Sequence, residues 1–130
     1  METLESFVHH LGVFASDFDA SERFYTSALD ALGIGLGYRA DGVAEYWRRE
    51  QDTPSLSLER SEDEASATTG VHIAFVAVSR DAVDAFHAAA VAAGGVSRHV
   101  PRSWSQYRAY CAFVSDPDGN NIEAVHKETS

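Results

Sequence analysis

The sequence predicts an α+β fold: two βαβββ modules that together form a curved mixed sheet with a cleft. Three observations predict it: an internal repeat, one helix signal in each copy of the repeat, and an excess of strand-like segments over helices. HLGVFASDFDASERFYTSALDALG, residues 10–33, lies without a gap over HIAFVAVSRDAVDAFHAAAVAAGG, residues 72–95, at an offset of 62. In that register His10 meets His72, Phe24 meets Phe86, Ala28 meets Ala90 and Gly33 meets Gly95. The 130 residues, 45% hydrophobic and 11% aromatic, suffice for one sizeable core. The expected organisation is a single domain over 1–130, with module 1 at about residues 7–61 and module 2 at about 70–127.

Module 1 opens on VHHLGVFA, an apolar run that reads as a buried strand. Alternation along a strand sends His9 and His10 to opposite faces and groups His10 with Gly12 and Phe14, away from Leu11 and Val13. A helix follows, signalled by Ser16 with Asp19 three residues on, a capping-box spacing, and by Phe18, Tyr25, Leu29 and Leu32 at helical intervals. Glu22 interrupts that stripe. GIGLGYR, VAEYWRR and PSLSLER then read as three strands, with Asp41-Gly42 as the turn between the first two. ERSEDEASATTG, residues 59–70, reads as a solvated acidic loop.

Module 2 opens on HIAFV, where His72 and Ala74 oppose Ile73 and Phe75. Its helix has Ser79 as cap and Val83, Phe86, Ala90 and Ala93 on one face, and it ends at Gly94-Gly95, where positive φ is accessible. VSRHV, YRAYCAFVS and NNIEAVHK complete the module, with DPDGN turning through Pro117 and Gly119. Two helices cannot cover both faces of eight strands, so one face stays open or curls into a cleft.

Ten basic against twenty acidic residues give a formal charge of −10, which repels phosphate backbones and anionic lipid surfaces, so neither nucleic acid nor membrane is an expected partner. Cys111 is the only cysteine, so an intrachain disulfide and a thiolate zinc knuckle are both excluded. METLESFVHH lacks the basic and apolar regions of a signal peptide, and no run approaches the roughly 18 apolar residues of a membrane span. The expected location is cytoplasmic.

With helices covering the Leu11/Val13 and Ile73/Phe75 faces, His10 and His72 look onto the open side. A lone histidine on an apolar strand is ordinarily a satisfied core residue, but two at matching places in a repeat are not a lone histidine. In NNIEAV, Glu123 lies on the face opposite Ile122 and Ala124, where an edge carboxylate is the ordinary reading. Together His10, His72 and Glu123 are the ligand set that suits a divalent first-row metal with open positions. Subtracting the offset from Glu123 lands on position 61, and Glu59 is the nearest carboxylate of the same parity. An alternative alignment puts Ser57 there and leaves three ligands.

HHLGVFASDFDASERFYTSAL, GVHIAFVAVSRDAVDAFHAAAVAAGG and AFVSDPDGNNIEAV resemble the vicinal oxygen chelate superfamily, the glyoxalase/bleomycin resistance/dioxygenase group, over about residues 7–127. The resemblance implies paired βαβββ modules round a divalent metal (Fe, Mn, Ni or Zn) that binds a small-molecule substrate through neighbouring oxygens, usually in a homodimer. By position it implies His10, His72 and Glu123 as metal ligands, while His9 matches none. Lactoylglutathione lyases carry a glutamate inside strand four where this chain has SLSLE. A His-His-Glu site is similar to those of the extradiol dioxygenases and fosfomycin-resistance thiol transferases.

A lyase or isomerase needs Glu123 or Glu59 within reach of a substrate proton, and a dioxygenase wants a nearby His or Tyr, for which His99, Tyr107 and Tyr110 are candidates. Trp47 and Trp104 could wall the cleft. Arg39, Arg48 and Arg108 could hold an anionic substrate tail, against the ordinary alternative of solvated strand-edge arginines. The rival class is a metal-free drug-binding protein of the bleomycin-resistance type, although such a cleft has no need of a ligand triad.

Overall fold

A computed structural model describes residues 8–50 and 54–128. METLESF at the amino terminus, which includes the start of module 1, and residues 51–53 inside that module lie outside them. Both modules form. The first runs β1 (Leu11–Ala15), α1 (Phe18–Asp30), β2 (Ile34–Ala40), β3 (Val43–Arg48) and β4 (Pro54–Arg60). The second runs β5 (His72–Val76), α2 (Arg80–Ala92), β6 (Val96–Trp104), β7 (Ala109–Ser115) and β8 (Asn121–Lys127). The acidic loop between them contains one 3₁₀ turn, Glu64–Ser66.

The eight strands divide into two separate four-stranded sheets, β1-β4-β3-β2 and β5-β8-β7-β6, rather than one continuous sheet. Each is mixed, because the first strand of each module runs parallel to the last while the other pairs are antiparallel. β1 and β5 each stand at the end of their sheet, and Thr68 bonds the Phe14 amide and carbonyl on the outer side of β1. Val13, Ala15, Ile73 and Phe75 are buried and Gly12, Phe14, His72 and Ala74 are exposed, as alternation predicts, whereas Leu11, expected on the covered face, is 40% exposed at the start of β1.

α1 packs on β2, β3 and β4, α2 packs on β6, β7 and β8, and the helices pack on each other. One continuous core results, with Phe24, Tyr25 and Leu29 of α1 and Val83, Phe86 and Ala90 of α2 all fully buried. Gly95 lies at this contact: a Cβ there would come within 2.6 Å of the Phe24 ring and 2.5 Å of Val114. The helix exits use positive φ at Gly33 and Gly94.

The cap of α2 is Ser79, which accepts from the Ala82 amide. The cap of α1 is Asp17, accepting from Ala20, rather than Ser16. Ser16 is engaged elsewhere: its hydroxyl bonds the Asp118 carboxylate and its amide lies 3.1 Å from Asp118 Oδ2. This is one of two ties between module 1 and the DPDGN turn. In the other, the buried Tyr25 hydroxyl donates to Asp116, which also accepts from the amides of Asp118 and Asn120 and from Asn120 Nδ2.

Burial, then the charge of Asp116, lifts Tyr25 well above the ordinary tyrosine value, and burial pushes Tyr46 up to about 12. Cys111 is also pushed up to about 12, by burial first and then by Glu123. All three bind their proton more tightly folded than unfolded, so their stabilisation is complete below the unfolded values, about 8.5 for Cys and 10 for Tyr. It is lost as pH rises toward their folded values. The urea midpoint should thus hold near neutrality and fall progressively above about pH 9, and Tyr46→Phe should flatten the fall above pH 10. An unchanged midpoint at pH 11 would contradict this account.

Candidate metal centre and groove

β5 and β8 pair in parallel with Ala74 opposite Glu123 and His72 opposite Asn121. Glu123 and His72 therefore stand diagonally on the same face. His72 Nε2 and Glu123 Oε1 are 2.8 Å apart, with the Glu123 side chain 11% and the His72 side chain 50% exposed. A carboxylate this deeply buried is unfavourable without a cation or a strong donor beside it. The spacing suits two ligands of one ion: donors about 2.1 Å from a metal at a right angle lie about 3 Å apart. The residues present thus fit a divalent metal as two neighbouring ligands.

Around this pair is a groove of about 570 Å³ lined by Ala74, Ala109, Cys111, Phe113, Val125 and, at one end, Tyr107, Arg108 and Lys127. Phe113, in that lining, belongs to an aromatic cluster: its ring lies 6.0 Å from His72, 5.3 Å from His99 and 5.3 Å from Trp104. Cys111 is buried beside Glu123, and burial first and then Glu123 push its thiol up.

Module 1 settles where its own candidates stand. β1 pairs with β4 so that Gly12 faces Ser57 and Phe14 faces Glu59. Gly12 is the repeat equivalent of Ala74, the partner of Glu123. Ser57 accordingly occupies the place of Glu123, and Glu59 lies two residues further along the same face.

His10 lies just before β1, on the other sheet from His72. Among the described residues no three His, Cys, Asp or Glu side chains come together as a metal-holding group. His9 and His10 do not diverge to opposite faces as strand alternation predicts. They precede the strand, and their Nδ1 atoms approach to 2.8 Å with ring centroids 5.0 Å apart.

Tyr110 requires a correction. It lies on the helix-facing side of β7, one residue out of phase with Ala109 and Cys111, and its hydroxyl donates to Asp84 at 2.7 Å beneath the Arg80 guanidinium. It is a packing residue of α2 and does not face the groove. His99 and Trp104 pack on each other and on Phe113 behind the groove lining, whereas Trp47 packs on Gly37 in the other sheet. Of the three arginines, Arg39 pairs with Glu22 and Arg48 bonds the carbonyls of Leu32 and Val76, leaving Arg108 in the groove. Sequence reasoning missed Cys111 and Lys127. The parity that placed Glu123, extended by two and four residues, would have reached Val125 and Lys127.

Paired βαβββ modules with a histidine–carboxylate pair on an uncovered sheet face define a small class of protein, and comparison with known proteins agrees. The profile of the Glyoxalase/Bleomycin resistance protein/Dioxygenase superfamily matches residues 7–124, and the chain belongs to that superfamily. The name spans enzymes and a resistance protein.

Among solved structures, a glyoxalase/bleomycin resistance protein from Albidiferax ferrireducens T118 is 32% identical, covering 94% of this chain and 99% of that one, with a TM-score of 0.80. A family enzyme from Burkholderia phytofirmans PsJN (20% identity, 91% and 96% covered, TM-score 0.68) shares the fold. So does a lactoylglutathione lyase from Agrobacterium tumefaciens (22% identity, 93% and 94% covered, TM-score 0.64). No curated protein matches the chain. No helix among the described residues is long and apolar enough to cross a membrane.

Proposed function

We propose that the protein is a divalent-metal-dependent enzyme of the glyoxalase/dioxygenase type, with His72 and Glu123 from one copy and His10 from a second copy as the metal ligands of a homodimer. The observation that carries the reading is the 2.8 Å His72–Glu123 pair, a buried carboxylate and an imidazole side by side among Ala74, Phe113 and Val125. The dimer reading is supported by the placement of His10 just before β1 of one sheet and of His72 on the other sheet, on strand faces that are exposed within the chain. A second copy can bring His10 to the pair, where a single chain does not. The single free thiol suits a reducing, cytoplasmic setting.

Fe, Mn, Ni or Zn bound there would polarise two neighbouring substrate oxygens as a Lewis acid. The chain supplies the rest. Ala74, Val125 and Phe113 exclude water from one side of the substrate, and Glu123, the groove carboxylate nearest His72, takes or returns a substrate proton at Oε. Ser57 at the equivalent place favours the three-ligand arrangement, so Glu59 has the role of a site-face carboxylate outside the ligand set.

A second reading, a metal-free binding protein that sequesters a flat apolar compound, draws on the apolar lining of Ala74, Ala109, Phe113 and Val125 and on the aromatic cluster of His99 and Trp104 packed on Phe113. Metal binding separates the two. Chelator-treated protein titrated with Fe(II), Mn(II), Ni(II) and Zn(II) should bind about one ion per chain, and Glu123→Ala should weaken that affinity beyond the 10–100-fold typical of outer-shell changes. Absence of affinity for all four ions would sink the enzyme reading and leave the sequestering one.

A further inference from the structure

We propose that the groove selects a small ligand with an apolar body about one ring long and an anionic tail, the tail held by Arg108 and Lys127 some 13 Å from Glu123. The ligand's oxygen-bearing head rests on the metal reading above, whereas the tail site rests on separate residues.

Strand geometry sets the order. Alternation along β8 presents Glu123, Val125 and Lys127 to the groove, paired across to Phe113, Cys111 and Ala109. Successive side chains on one face are about 6–7 Å apart, so acid, apolar surface and base follow one another over about 13 Å. The middle step matches one aromatic ring or a short branched chain. A ligand whose polar head reaches His72 and Glu123 then carries its far end to the two cations.

Those cations are unneutralised in a chain with twice as many acidic as basic residues. Arg108 makes no side-chain hydrogen bond or ion pair among the described residues. Its neighbour across the strand end, Glu128, is already held by Arg80 through two bonds of 2.7 Å, and bonds Arg108 only through the backbone. Lys127 donates to the Tyr107 carbonyl at 2.6 Å, which leaves two ammonium protons free.

The backbone adds an independent sign. Arg108 has φ +50°, the only positive φ outside glycine among the described residues. It ends the turn after Trp104, with its amide bonded to the Ser105 carbonyl, a place where glycine or asparagine sits without strain. An arginine kept in a conformation that disfavours it points to use of its side chain. A guanidinium fork and an ammonium together suit a carboxylate or a phosphonate-class oxyanion.

The probes are 3-(3,4-dihydroxyphenyl)propanoate, its neutral amide and the matching phosphonate, titrated by calorimetry into metal-loaded and chelator-treated protein. Both anions should bind the wild type about tenfold or more tightly than the amide, and the ratio should fall to about one in Arg108→Gln/Lys127→Gln. Arg108→Gly should lose anion preference while gaining thermal stability, a combination that a purely structural arginine would not produce.

Equal affinity for amide and carboxylate, a preference that survives in the double variant, or no binding of any probe overturns the tail site. Anion preference in chelated protein that also fails to take up metal would overturn the metal reading alone and uphold the tail.

Discussion

Chains carrying His10→Ala and chains carrying Glu123→Ala, each without metal affinity alone, are expected to regain about one quarter of the wild-type sites when refolded together in equal amounts. Random pairing makes half of the dimers mixed. In each mixed dimer one site joins the intact His10 of the Glu123→Ala chain to the intact His72 and Glu123 of the other, and the second site lacks both. The effect is large because a His-His-Glu site reduced to two ligands loses its hold on the ion, whereas complementation restores all three.

Folding should survive both changes. His10 is exposed, and His72, half exposed, can turn to water when Glu123 is removed. Recovery is read as bound metal by elemental analysis after size-exclusion chromatography. A mixture that binds no more than either variant alone would locate the site within one chain or nowhere. His9→Ala should cost roughly tenfold in affinity, since its Nδ1 contacts His10 Nδ1 and can orient the ligand ring. The repeat alone, with Val71 opposite His9, assigns that histidine no such part.

Asp116→Ala should cost about 3–5 kcal/mol of stability, roughly 10–20 °C in Tm. The carboxylate accepts four hydrogen bonds in a buried setting, from Tyr25, from Asn120 Nδ2 and from two backbone amides, and removing it strands all four donors at once. Tyr25→Phe removes only one of these bonds and should cost about 1–2 kcal/mol.

The damage reaches the site as well. Asn120, positioned by Asp116, accepts from the Val71 amide and donates to the Thr68 carbonyl, which holds the start of β5 against β8. That contact sets the register in which His72 stands beside Glu123. Urea unfolding of both variants checks the ordering, and a loss below about 1 kcal/mol for Asp116→Ala would contradict it.

Much of this was legible in the residues because it is local. Period-two alternation assigned the faces of β5 and of β1 from Gly12 onward, though not of His9, His10 and Leu11 where that strand begins; glycine marked both helix exits, and the offset of 62 predicted two copies of one module. Features that depend on a distant partner were not legible. Ser16 has the right spacing for a cap, yet Asp118, about a hundred residues away, takes its hydroxyl and leaves the cap to Asp17.

Tyr110 could not be assigned a side, since Ala109, Cys111 and Phe113 are as apolar as Tyr110, Ala112 and Val114, and alternation carries no contrast there. The division into two sheets was hidden for the same reason, because hydrophobic pattern says which face a strand buries but not which edge it pairs. β6 runs to Trp104, past the short VSRHV segment, through Pro101 and two register shifts. Proline is tolerated at this edge strand.

The register that pairs Gly12 with Ser57 and Ala74 with Glu123 also puts Ser57 and Glu123 at one matching position of the two modules. Among the many positions at which the two modules differ, this one sets a hydroxyl against a carboxylate. The two sheets keep the same strand order and the same parallel pairing of first strand with last, while the side chains at this place differ in charge. A single exchange, Ser57→Glu, would give module 1 the carboxylate that module 2 carries at the matching position.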